Sequence, residues 1–207
     1  MTEYLTVLEN CSAEYSEKRS RFIANLYHCE SEEEATKIIS ETRSKYFDAK
    51  HNVYAYLLKD KTARFSDDGE PHGTAGKPIL DIITGSGVTD ILIIVTRYFG
   101  GVLLGTGGLV RAYSSASKDA LFLSQKVKMC AGAKYSVKCE YTDHSKLLSV
   151  IENCNGTVND TVFADNVEVF FSLKKEDIKN FEDTLRESFS ARIIANFEEE
   201  CIFSINI

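Results

Sequence analysis

Residues 91–113 read ILIIVTRYFGGVLLGTGGLVRAY, and five of the chain's twelve glycines fall between Arg97 and Arg111. The apolar run ahead of them is short, continuous and rich in β-branched residues, which predicts a buried central strand. After the glycines, Leu109, Tyr113, Ala116, Ala120 and Leu123 recur at helical spacing. The glycine stretch therefore joins a strand to a helix, and the pattern predicts a helix start near Gly107 or Gly108.

A junction of this kind limits what the segment can do. Glycine takes positive φ without steric cost and lets the backbone come close to a ligand, while a helix N-terminus presents unpaired N–H groups with a dipole that favours anions. Arg97 and Arg111 would add fork-shaped donors suited to phosphate. Gly100, Gly101, Gly105, Gly107 and Gly108, flanked by these arginines, are thus candidate residues for binding an anion or a nucleic acid. Gly100 and Gly105 have phosphate-loop spacing, but no Lys-Ser/Thr follows, and Gly105-Thr106-Gly107 does not continue as GxGxxG, so no nucleotide cofactor is expected. The competing reading is close packing of helix on sheet, with both arginines in structural ion pairs. Lys18, Arg19 and Arg21, in EKRSRFIANL, form a basic cluster that fits either a charged edge strand or phosphate contacts.

FSDDGEPHGTAGKPIL, residues 65–80, brings Asp67, Asp68, Glu70 and His72 close together, and His51 opens a strand at HNVYAYLL. Acid/base or metal chemistry needs such groups to converge. The spacing matches neither a calcium loop nor HExxH, and no metal or other cofactor is predicted. The glycines and prolines predict an ordered, turn-rich loop.

Ser31-Glu32-Glu33-Glu34 opens an amphipathic helix with Glu at its third position, between strands at 21–28 and 51–58. From about residue 131 the pattern becomes strand, helix, two strands, helix and one or two closing strands, with Asp143 as a cap and a turn at Asp165-Asn166. That order is βαββαβ, a ferredoxin-like unit. The chain is read as α+β in two domains, 1–130 and 131–207. Its net charge of −7 is unevenly spread. The first segment holds 16 basic against 17 acidic residues and the second 8 against 14, so a polyanion would meet less repulsion on the first. No stretch is apolar for long enough to cross a bilayer, the N-terminus lacks the pattern of a secretory signal, and the six cysteines include no CxxC pair. A cytoplasmic protein with reduced thiols and no membrane partner is expected.

KRSRFIA, DAKHNVYAY, SDDGEPHGTAGKPIL and VTRYFGGVLLGTGGLVRAY, in this order, resemble the YigZ/Impact family over most of residues 15–125. The βαββαβ tail is similar to the second domain of its bacterial members. The resemblance implies a first domain with the two-layer α/β fold of elongation factor G domain IV and a second like domain V of that factor. It also implies a link to translation, since eukaryotic relatives oppose activation of the amino-acid-starvation kinase by competing for its activator protein. Lys50 and Val53 stand where the family usually has Thr and Cys, and Leu103 where a Lys is common. The expected function is a non-catalytic regulator that binds RNA, the ribosome or a translation-associated protein through the Arg/Gly-rich surface. The alternatives are a peptidase-like hydrolase using Asp67, Asp68, Glu70, His51 and His72, and a protein-only adaptor.

Overall fold

The computed structural model describes residues 3–206. The elements fall into two compact units, one spanning Tyr4–Lys128 and the other Met129–Ile205.

The first unit opens with β1 (Tyr4–Val7), β2 (Cys11–Glu17) and β3 (Ser20–His28), followed by α1 (Glu32–Lys45). It continues through β4 (His51–Leu57), β5 (Ala63–Ser66), α2 (Gly76–Ser86), β6 (Ile91–Tyr98) and α3 (Gly105–Leu123). Ser31 caps α1 by accepting from the Glu34 N–H at 3.1 Å, as the capping pattern predicts. The sheet order is β2-β3-β6-β4-β5, antiparallel throughout, and β6 lies at its centre. Ile91, Ile93 and Val95 of β6 pack with Ile79 and Ile83 of α2 and Leu109, Ala112 and Tyr113 of α3. Leu92 and Ile94 point the other way, onto Ala35 and Ile39 of α1. Helices therefore cover both faces of the sheet, and α1 adds a third layer to the two expected. Each large apolar side chain so buried contributes about 1.5–3 kcal/mol relative to exposure.

Residues 65–80 are less loop-like than their composition suggests. They hold the end of β5 and the start of α2, whose N-cap Ala75 has no side chain able to cap. Pro78 lies in the first turn of that helix, where a missing N–H costs nothing. Helix α3 starts at Gly105, two or three residues before the start predicted near Gly107 or Gly108.

The second unit takes most of β7 (Lys126–Cys139), then α4 (Tyr141–Asn153), β8 (Thr157–Phe163), β9 (Val167–Lys174), α5 (Ile178–Ser188) and β10 (Ala195–Asn206). Its sheet runs β10-β7-β9-β8. In a βαββαβ unit that is the 4-1-3-2 order of the ferredoxin-like fold. Leu147 and Ile151 of α4 and Phe181 and Leu185 of α5 share a core with Val137, Val169 and Phe171 of the sheet. Glu140, not Asp143, holds the N-cap position of α4; Asp143 sits in the first turn, where a carboxylate still favours the helix dipole.

Candidate functional site

Arg97 and Arg111 bracket the glycines but have different fates. Arg97, on β6, is 4% exposed, and its Nη1 donates to Glu70 Oε1 at 2.5 Å. The same carboxylate oxygen accepts from the Tyr113 hydroxyl of α3 at 2.7 Å. Burial, followed by the charge and hydrogen bond of Glu70, holds the Tyr113 phenol far above its ordinary pKa. The Arg97 guanidinium lies over the rings of Phe22 and Phe99, at 5.5 Å and 5.7 Å. Arg97 therefore does not belong to an open anion-binding surface. Side chains alternate across β6, and position 97 faces inward beside a carboxylate that must be neutralised once it is buried.

The carboxylate loop is likewise committed to structure. Asp67 accepts from the backbone N–H of Gly73, Ala75 and Gly76, at 2.9, 3.1 and 2.8 Å, and so supplies the cap that Ala75 lacks. Asp68, at φ 45°, accepts from the Asn52 N–H at 2.7 Å and from Arg43 Nη2 at 2.7 Å. Its carbonyl accepts from His51 Nδ1 at 2.7 Å, since a carbonyl oxygen has no proton to give. His51 Nε2 is 3.9 Å from Glu70 Oε1. His72 has a side chain 99% exposed and stands 3.7 Å from Asp67. The fold thus brings His51, Asp68 and Glu70 together but leaves His72 outside the group, and Asp67 faces the start of α2. The five residues do not converge on one pocket, as the hydrolase alternative needs. Among the described residues no group of three or more His, Cys, Asp or Glu has metal-binding geometry.

The other predicted cations do gather. Lys18 and Arg19 form the two-residue turn between β2 and β3, where Glu17 pairs with Ser20. Both have positive φ, 46° and 66°. This turn geometry favours Asn-Gly, and a bulky side chain there carries strain. The turn packs against the glycine loop, where a Cβ on Gly100 would lie 2.1 Å from the Arg19 carbonyl carbon. Gly100 N–H also donates to Ser20 Oγ at 3.2 Å. Only glycine tolerates that approach. Gly101 and Gly105 take φ values of 83° and 70°, and Gly105, Thr106 and Gly107 open α3 exposed and without a side-chain cap. Gly108 is buried against Leu104, so it serves packing. Arg111 is exposed, and its Nη1 would be 3.9 Å from a Cβ on Gly107, which sets it over the first turn of α3. Arg21 pairs with Glu14 at 2.9 Å and lies over the Tyr98 ring at 5.9 Å.

Sequence reasoning missed several neighbours of this surface. The turn before β4 carries exposed Phe47 and Lys50, and Lys50 Nζ is 5.1 Å from the Phe99 ring. Val102 and Leu103 are exposed on the glycine loop. The visible signal is a pair of segments that combine aromatic and basic residues, KYFDAK at 45–50 and RYF at 97–99, but only the register His51↔Arg97 shows that they meet.

Among the described residues, no helix is long and apolar enough to cross a membrane. Residues 18–121 match the Impact N-terminal domain, and residues 137–192 match a domain of unknown function, DUF1949. The chain is 33% identical to an IMPACT family member of Haemophilus influenzae, over 96% of this chain and 98% of that one. It is 39% identical to the IMPACT family member YigZ of Escherichia coli, over 68% and 71%. A crystal structure described as that of a hypothetical protein superposes with a TM-score of 0.63 at 31% identity, covering 96% of this chain and 98% of the other. An Impact N-terminal domain over half of the chain, with a relative 33% identical almost end to end, shows that the chain belongs to the IMPACT family.

Proposed function

We propose that this protein is a translation-associated regulator that binds the phosphate backbone of RNA, on the ribosome or free, through the end of its first unit where the β2–β3 turn meets the glycine loop. The observation that carries this reading is the turn itself: Lys18 and Arg19 occupy left-handed backbone positions that Asn and Gly would hold without strain. Strain kept at a surface turn is a sign of function, and its effect here is to present two adjacent cations beside the open first turn of α3. Neither side chain has a carboxylate within ion-pair distance among the described residues, and Arg111 is likewise unpaired. Helix N–H groups, positive-φ glycines and unpaired cations together suit phosphate oxygens. Family membership agrees with a role in translation, as the resemblance to eukaryotic translation regulators implies.

The test is co-sedimentation with ribosomes and binding to a mixed RNA pool across a salt series. The wild type is compared with a Lys18→Ala/Arg19→Ala/Arg111→Ala variant. Each lost phosphate contact should reduce the log–log salt slope by about 0.7–0.9. Unchanged affinity and slope in the variant would refute the assignment of this surface.

A further inference from the structure

Two loops beyond the basic turn add rings to this surface. The turn between α1 and β4 is tied to the end of β6. The Tyr98 hydroxyl donates to Asp48 Oδ1 at 2.8 Å, and the Lys50 N–H donates to the Arg97 carbonyl at 3.1 Å. Just ahead of those ties stands Phe47, 85% exposed, and across the strand pair stands Phe99, 41% exposed. Lys50 Nζ is 5.1 Å from the Phe99 ring, and Lys45 Nζ is 5.0 Å from the Tyr46 ring. Neither lysine has a carboxylate within ion-pair distance among the described residues. In a chain of net charge −7, this end of the unit therefore collects unpaired cations around exposed aromatic rings.

Resting on the RNA reading above, we infer that the ligand is single-stranded RNA, with unpaired bases stacking on Phe47 and Phe99 while Lys18, Arg19, Lys45 and Lys50 follow its phosphates. A duplex satisfies cations but keeps its base faces inside the stack, so it has nothing to offer an exposed ring. A flexible strand satisfies both: aromatic platforms accept any base because every base has a π-face, and lysines beside the rings track the backbone. An acidic protein surface would meet the lysines but leave the Phe47 ring in water.

The experiment is fluorescence anisotropy of the full chain with a labelled single strand of about 12 mixed nucleotides and with the same strand annealed to its complement. Wild type, Phe47→Leu, Phe99→Leu and Lys50→Ala are compared across a salt series. The single strand should bind tighter than the duplex, and each Phe→Leu change should weaken it by about 5-fold or more without altering the salt slope. Lys50→Ala should instead lower the slope. Equal binding of both RNAs with the ring variants unaffected would overturn the single-strand inference and leave the phosphate-binding proposal standing. Failure to bind either RNA at low salt would overturn both. Phe47 is almost fully exposed, so Phe47→Leu decides the matter if Phe99→Leu disturbs the fold.

Discussion

Arg97 and Arg111 flank the same glycines and yet do opposite work. Arg97 lies at the end of a central strand with its charge absorbed by Glu70 and its plane held between Phe22 and Phe99. Arg111 lies on the outer face of α3, exposed and unpaired, over that helix's first turn. A buried ion pair is a poor source of net stability but an expensive thing to break, whereas an exposed cation is nearly free to change and remains available to a ligand. The two regions therefore separate what the fold needs from what a partner could use.

The largest effect should come from breaking the buried side. Glu70→Ala leaves Arg97 charged, buried and without its partner, and should cost about 3–5 kcal/mol in urea unfolding. Combining Arg97→Met with Glu70→Gln should recover part of that loss, because no uncompensated charge is then left inside. A loss as large in the double variant as in Glu70→Ala would show that the pair stabilises through packing and not through charge.

Next in size is the contact that joins the two regions. Gly100→Ala forces a methyl into the Arg19 carbonyl, and such overpacking costs about 1–3 kcal/mol. Because it displaces the Lys18-Arg19 turn, it should weaken RNA binding as well as stability. Gly107→Ala, where only the Arg111 guanidinium is near, should do neither strongly.

The buried side should also set an alkaline limit. Tyr56 is pushed up to about 12 from 10.0 by burial and by its hydrogen bond to Glu32, and Tyr113 is raised too. A phenol with a raised folded pKa holds its proton longer in the native state than in the unfolded one. Its stabilisation is therefore full below pH 10 and is lost between 10 and its folded value. Urea midpoints measured from pH 8 to 11 should fall above pH 10, and Tyr56→Phe should flatten that fall.

The smallest effect on folding belongs to the exposed side. Lys18→Ala, Arg19→Ala and Arg111→Ala should each shift stability by no more than about 0.5 kcal/mol. Replacing Lys18-Arg19 by Asn-Gly should raise it slightly through relief of the positive-φ strain. Increased stability together with lost RNA affinity would separate the two regions most cleanly.

Much of this organisation is legible in the residues. The alternation in 21–28 and 51–58, the apolar run at 91–96 and the helical spacing from Leu109 onward predict elements that the structure contains. The βαββαβ order of the tail predicts its sheet order. Helix α2 escaped because its cap is Asp67, eight residues ahead of Ala75, and no local signal marks a cap so remote. Strand β2 escaped because its polar outward residues conceal the inward Ala13 and Tyr15.

The amino-acid sequence alone determined the two-domain α+β plan, the family and the presence of cations around a glycine-rich junction, because periodicity and glycine placement act over neighbouring residues. Only the tertiary structure decided which cations are free. The pairing of Arg97 with Glu70 spans 27 positions, and the approach of Gly100 to Ser20 spans 80. Whether a charge is neutralised or offered to solvent depends on what the sheet register brings beside it, which spacing along the chain does not encode.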